Sequence, residues 1–186
     1  MVANNFKSVK YSQTILTELM VPSYANFGGK VHGGVLLSLM DKVAYVCAAK
    51  HADTYCVTAS IDGVDFLQPI EVGELVSLTA SVNYVGKTSL LIGIKVVSEN
   101  VKTHTAKHTN TSYFTMVAMD DNLNPTQVPG LILDTEEELR CFLEGMKRKE
   151  LKKHYREELY RLKTVIDVEK EKLLLRNERC KLSVDI

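Results

Sequence analysis

Gly-Gly-Val-Leu-Leu-Ser-Leu-Met-Asp-Lys-Val-Ala-Tyr-Val-Cys-Ala-Ala-Lys, residues 33–50, is the stretch that decides the fold. Its apolar residues fall all round a helical projection instead of along one stripe, the pattern of a helix covered by protein on every side. A carboxylate in the middle of such a helix, Asp41, is costly to bury unless it is paired or used. At the entry, Gly33 and Gly34 let backbone N–H groups approach a ligand closely, at the positive end of the helix dipole. An oxyanion-binding helix start and a buried acid together make a small catalytic kit.

Working outward, a strand is expected over Tyr11–Leu19, then a loop over residues 22–30 with two glycines, then the helix. Four β-rich stretches follow: Tyr55–Phe66, Leu75–Val85, Ser89–Ser98 and Lys107–Met119, each rich in Val, Ile, Thr, Tyr and Phe. The breaks between them read as turns, at Gln68-Pro69 to Gly73, at Gly86-Lys87 and from Glu99-Asn100 onward. Short turns imply antiparallel pairing. The expected architecture is α+β, an antiparallel sheet wrapped around one central helix. Such a sheet covers one side of the helix, so the other side calls for a second subunit.

The character changes at Asp134. Asp134-Thr135-Glu136-Glu137-Glu138 reads as a helix N-cap with acids in the first turn. No Gly or Pro follows Gly145, and Tyr155, Leu159, Leu162, Ile166 and Leu173 recur at 4-3-4-7 spacing. The expected organisation is one domain over residues 11–125 and an amphipathic helical extension over 134–180, with Gly145 as the place for a break. The ordinary role of such a helix is to pack on its own domain or on a neighbour.

Composition narrows the function. The 186 residues are 45% hydrophobic, enough for a core, and 23 Lys and Arg balance 23 Asp and Glu. A neutral chain gives no electrostatic case for nucleic acid. Residues 1–11 lack the apolar stretch of a signal peptide, and no run approaches the ~20 apolar residues of a membrane span. The expectation is a cytoplasmic protein with neither nucleic acid nor membrane as partner. Cys47, Cys56, Cys141 and Cys180 lie without a short-spacing motif and read as reduced thiols. His104 and His108, four apart on an expected strand, are ~13 Å apart, too far to share an ion directly, and no metal site is expected.

Geometry limits Asp41. Seven residues separate it from Gly34, roughly 10 Å along one helix. A carbonyl held about 3 Å from the Gly34 N–H is an awkward reach for Asp41 of the same chain. Two such helices packed antiparallel bring one helix start close to the middle of the other, so the active site is expected to be shared across a dimer interface.

Four segments carry a resemblance: Asn-Phe-Gly-Gly-Lys-Val-His-Gly-Gly (26–34), Leu-Met-Asp-Lys-Val-Ala-Tyr (39–45), Tyr-Cys-Val-Thr-Ala-Ser-Ile-Asp (55–62) and His-Thr-Asn-Thr-Ser-Tyr-Phe-Thr-Met-Val-Ala (108–118). In combination they resemble the hotdog-fold acyl-CoA thioesterases of the broad-range cytosolic type, from about residue 11 to residue 120. The resemblance implies a hotdog fold and hydrolysis of acyl-CoA to a fatty acid and free CoA. It implies that the Gly34 N–H stabilises the thioester oxyanion, that Asp41 is general base or nucleophile, and that Thr58 lies close to the acid. It also implies a trimer of hotdog dimers, a homohexamer, with CoA along a subunit interface. Coenzyme A is then part of the substrate, and no other cofactor is called for.

Candidate substrate-binding residues are Asn26, Lys30, His32 and Gly33 in the loop and helix start. The turn Lys87-Thr88-Ser89, near the pantetheine or phosphates by resemblance, and Asn110 complete the set. His32 reads first as a residue that caps or shapes the loop. Related sequences often carry Asn directly before Val-His-Gly-Gly, where this chain has Lys30. An ammonium polarises a carbonyl but cannot copy an amide that both donates and accepts. Contact with a CoA phosphate, or plain solvation, is the other reading of Lys30. A non-catalytic acyl-CoA-binding sensor on the same fold is the alternative function. A hydratase would call for a histidine with the acid on the active helix, and residues 33–50 contain none.

Overall fold

A computed structural model of the chain describes residues 5–183. In chain order the elements are β1 (Phe6–Ser8), a helical turn α1 (Val9–Ser12), β2 (Thr14–Leu19) and a 3-10 turn at Pro22–Tyr24. Then come α2 (Gly33–Ala52), β3 (Cys56–Ile61), β4 (Leu75–Val85), β5 (Ser89–Asn100), β6 (Thr105–Ala118) and β7 (Gly130–Ile132). The chain ends with α3 (Glu136–Val165), α4 (Val168–Glu171) and a 3-10 stretch over Lys172–Asn177. Two compact units divide it, one ending at Gly145 and one beginning at Met146.

The first unit has the expected α+β hotdog architecture. One antiparallel sheet of five strands, in the order β2-β4-β5-β6-β3, packs on α2. Its logic is visible in β4. Val76, Leu78, Ala80 and Val82 are buried while Leu75, Ser77, Thr79 and Ser81 between them are half-buried, the period of two that a strand imposes. Ile92, Ile94 and Val96 of β5, with Phe114 and Met116 of β6, complete the wall that receives Met40, Val43, Ala44, Cys47 and Ala48 of α2. A separate parallel pair, β1 with β7, holds the two ends of this unit together.

Three expectations change. Strand β3 does not pair with β4. Residues 62–74 leave it at one edge of the sheet and cross to β4, so the Gln68-Pro69 to Gly73 break is a crossover and not a hairpin. Part of that crossover still follows β6: Asp62 N–H donates to Tyr113 O at 2.9 Å and Leu67 N–H to Thr109 O at 3.0 Å. Gly63 and two aspartates, poor strand formers, end β3 at Ile61. The expected first strand begins only at Thr14, because Ser12 is drawn into the interior beside His51 in the turn α1.

The third change concerns Gly145, where α3 runs on unbroken. A Cβ there would stand 2.6 Å from Tyr84 Cβ, so the glycine serves close approach of helix to sheet. Phe142 packs on the Tyr84 ring at 5.0 Å beside it. Helix α3 starts in a capping box, with Thr135 Oγ1 accepting from Glu138 N–H and Glu138 Oε2 accepting from Thr135 N–H. It stops after the β-branched Thr164-Val165, which resist helical χ1. In the second unit no described residue is buried. Among the described residues no helix is long and apolar enough to cross a membrane.

Candidate active site

Helix α2 is not covered all round within the chain. One side is buried against the sheet, but Ser38, Lys42, Tyr45, Val46 and Lys50 are exposed and Asp41 is half-buried on the open side. The buried acid of this unit is another residue, Glu74 at the start of β4. Burial pushes its pKa up, but the Ser98 hydroxyl, the Glu71 N–H and Lys107 outweigh that and hold the carboxyl below its ordinary range. Every oxygen of Glu74 is spoken for, so it is a structural acid. Asp41 is available.

The Thr58 hydroxyl donates to Asp41 Oδ1 at 2.6 Å. Thr58 comes from β3, at a register shift between Thr58 and Ser60 against β6, and such bulges re-aim side chains. Carboxylate and threonine line an open cavity of about 640 Å³ whose other walls include Tyr45, Val46, Tyr55 and Val57. A hydrogen bond to one oxygen fixes the carboxylate and leaves the other for a substrate or water.

At the helix start the residues are arranged differently from expectation. His32 is the N-cap of α2, and its Nδ1 accepts the Gly34 N–H at 2.9 Å. The amide expected to meet an oxyanion is therefore already engaged. The Gly33 N–H has no acceptor among the described residues. Gly33 lines a second cavity, about 420 Å³, together with Asn26, Lys30, Phe66 and Gln68. Asn26 Oδ1 accepts the amides of Gly28 at 2.8 Å and Lys30 at 3.2 Å, an Asx turn that shapes the loop. Its Nδ2 has no acceptor among the described residues.

Lys30 is not a free cation. Its Nζ lies 2.6 and 2.7 Å from the two carboxylate oxygens of Glu71, tying the loop to the β3–β4 crossover. Asn110, expected at the substrate, is buried and donates to Asp65 O at 2.6 Å. It pins the crossover residue next to Phe66, whose ring stands 3.2 Å from where a Gly33 Cβ would be. The turn of Lys87, Thr88 and Ser89 sits at the opposite end of β6. Thr88 O accepts from Ala118 N–H, while Asn110 pairs with Val96 eight residues earlier in the strand, roughly 25 Å away.

Within one chain the candidates thus form separate groups. Asp41 and Thr58 line one cavity, Asn26, Lys30 and Gly33 another, and His32 with Gly34 a third of about 520 Å³. Helical rise keeps Asp41 from Gly33 as it does from Gly34. Two residues escaped the sequence reading. Glu71 and Phe66 become visible only through contacts across 41 and 33 positions of chain, and nothing local marks them. His51 also belongs to α2, which runs two residues past Lys50, but it is buried between Ser12 and Pro129, away from Asp41.

Comparison with known proteins gives this geometry a family. Residues 28–104 match the thioesterase superfamily. The chain is 48% identical over 141 residues to protein VdlD of Helicobacter pylori, covering 76% of this chain and 80% of that protein. It is 38% identical over 130 residues to YkhA of Bacillus subtilis, named an uncharacterized acyl-CoA thioester hydrolase, covering 70% and 76%. The crystal structure of an apo-hexameric acyl-CoA thioesterase superimposes with a TM-score of 0.80 at 38% identity, over 82% of this chain and 97% of that one. An acyl-CoA hydrolase from Staphylococcus aureus, solved with butyryl-CoA, CoA and CoA disulfide, superimposes with a TM-score of 0.78 at 31% identity, over 84% and 96%. Structures of that enzyme include variants with alanine replacing an asparagine, an aspartate 15 residues later and a threonine 17 residues beyond it. Fold, family match and relatives agree, and the chain belongs to the hotdog-fold acyl-CoA thioesterases, enzymes that hydrolyse acyl-CoA thioesters.

Proposed function

We propose that Asp41 is the general base of this hydrolase and that Thr58 positions it. The observation that carries the reading is the 2.6 Å hydrogen bond from Thr58 to a half-exposed carboxylate on the wall of an open cavity. Spacing supports it: Asn26, Asp41 and Thr58 stand 15 and 17 residues apart, as do the residues replaced in the Staphylococcus aureus variants. On that spacing the loop asparagine of the family is matched by Asn26, and Lys30 is not a departure at the reacting centre.

Asp41 takes a proton from water as the water oxygen attacks the thioester carbon. The negative charge moves to the carbonyl oxygen, the C–S bond then breaks as that charge returns to re-form the C=O, and the proton Asp41 took passes to the sulfur, so CoA leaves as the thiol and Asp41 is restored. The donors free to hold the oxyanion are the Gly33 N–H and Asn26 Nδ2, on the walls of one cavity. The Gly34 N–H joins them only when the substrate oxygen replaces His32 Nδ1 as its acceptor. These donors come from a facing subunit, since α2 separates them from its own Asp41. The uncovered side of α2, the unpaired outer edge of β3 and the hexameric relative support a dimer of hotdogs assembled as a trimer of dimers. Water and thioester suffice for the reaction, and no cofactor enters.

Three variants test the reading through release of free CoA thiol. Asp41→Asn should lose about 10²–10⁴-fold in kcat, the usual worth of a general base, and turnover at the parent rate would dismiss Asp41. Gly33→Pro deletes one N–H at the first helical position, which proline tolerates, and His32 at φ −66°, ψ 128° already has the backbone proline demands of its predecessor. Gly33→Ala meets Phe66 in the same way and keeps the N–H. The proline variant should fall about 10²–10³-fold below the alanine one; equal rates would move the oxyanion elsewhere.

A further inference from the structure

We propose that the pair Tyr45 and Tyr55 is the acyl-chain contact of this enzyme and sets its preference along the first six carbons. The inference rests on Asp41 being the base. The cavity that holds Asp41 continues along α2 to Tyr45, one helical turn further, and across to Tyr55 ahead of β3. The two rings lie 6.1 Å apart at 58°, a tilted aromatic pair. Within a single chain they are 39% and 51% exposed, with Tyr45 on the side of α2 that the facing subunit would approach, so the pair lies beside the carboxylate at the shared site.

The chemistry of the two halves of the substrate decides which half lies there. The pantetheine arm carries amides that need partners, and the cavity that holds the oxyanion donors Asn26 and Gly33 also carries the Gln68 side-chain amide. Around Asp41 the walls are Tyr45, Val46, Tyr55, Cys56 and Val57 with Lys42 as the one cation, and the Thr58 hydroxyl is already donated to the acid. The Tyr45 and Tyr55 rings with Val46, Cys56 and Val57 form the apolar part of that lining, which suits an acyl chain better than an amide. Distance fixes the carbons. Four residues of helix rise about 6 Å from Asp41 to Tyr45, the reach of about four to five bonds of an extended chain. A thioester carbon at Asp41 therefore places carbons four to six of the acyl chain against the two rings. Acetyl falls short of them and hexanoyl covers them.

The measurement is kcat/KM of the full-length enzyme for acetyl-, butyryl-, hexanoyl- and lauroyl-CoA, read as the hexanoyl-to-acetyl ratio. Burying a methylene is worth about fourfold, so losing the ring under two or more methylenes lowers that ratio by about tenfold or more in Tyr45→Ala. Tyr55→Ala, at a more exposed position, should lower it by a smaller factor, and Tyr45→Phe should retain it because the ring face makes the contact. A ratio unchanged in both alanine variants, even with all rates reduced, overturns the proposal, as does a ratio already lost in Tyr45→Phe. Failure of the base assignment shows separately, as Asp41→Asn turnover that persists on every chain length.

Discussion

Residues 1–145 and residues 146–186 of this neutral chain are opposites. The first carry ten Lys and Arg against fifteen Asp and Glu; the second carry thirteen against eight. The first unit holds every buried residue of the described chain, the second none. Leu151, Tyr155, Leu162 and Ile166 are exposed at helical spacing. Local means stabilise the second unit: good helix formers and short-range ion pairs such as Glu158 with Arg161 and Lys153 with Glu157. Net charge and overall hydropathy, averaged over the whole chain, conceal this division. One region obeys the hydrophobic effect and the other obeys propensity and side-chain pairing.

Core truncation is the largest expected break between them. Phe114→Ala, fully buried between sheet and α2, should cost about 3–5 kcal/mol in denaturant unfolding. Leu151→Ala, 68% exposed, should stay within about 0.5 kcal/mol. A Leu151→Ala cost above 1 kcal/mol would mean that the second unit is covered in the assembly, and the comparison would fail. Gly145 sharpens the boundary where the two units meet in sequence. Replacing a helical glycine by alanine ordinarily stabilises by about 1 kcal/mol. Here the added Cβ meets Tyr84 and Leu91, so Gly145→Ala should destabilise by about 1–3 kcal/mol. A rise in Tm for that variant would show that α3 yields where it meets the sheet.

The smallest effect is a pH dependence confined to the first unit. His51 is buried at the end of α2, with Nε2 at Pro129 O and Nδ1 at the Ser12 hydroxyl. Burial lowers its pKa, and Lys7 nearby lowers it further, against the raising effect of the Pro129 and Gly130 backbone. The folded state keeps His51 neutral where the unfolded chain, with a pKa of about 6.5, takes up a proton. Stability is therefore full above about pH 6.5 and declines as pH falls below it, by at most about 1.4 kcal/mol per pH unit. His51→Gln should flatten that slope between pH 6.5 and 5 in urea titrations, and an unchanged slope would assign it to other groups.

Much of the fold was legible because its signals are local. Period-two burial in β4, the Gly86-Lys87 hairpin and the Thr135-to-Glu138 capping box all act over a few residues. The site was legible in part. The resemblance puts Thr58 close to Asp41, and the structure brings the two within 2.6 Å, but the sequence makes Asp41 look buried, since an apolar helix surface looks the same whether its own sheet or nothing covers it. The buried acid, Glu74, sits in a turn-like stretch and gives no sign of Ser98 or Lys107, 24 and 33 positions away. Lys30 was unreadable without Glu71 for the same reason, and His32 could be read as a cap but not as a rival acceptor for the Gly34 amide.

Sequence alone determined the central helix with its glycine start, the main strands around it and the residue types able to do acid–base chemistry, because backbone propensity and side-chain chemistry belong to each residue and its near neighbours; the short pair β1 and β7 carried no such local signal. Tertiary structure decided the rest. It carried β3 to the far edge of the sheet and tied Lys30 to Glu71. It left Gly33 and Asn26 with free donors, and it set Tyr45 and Tyr55 beside the carboxylate. Those outcomes depend on which distant groups a fold brings within 3 Å, and hydrogen bonds and packing reward proximity in space, not in chain order.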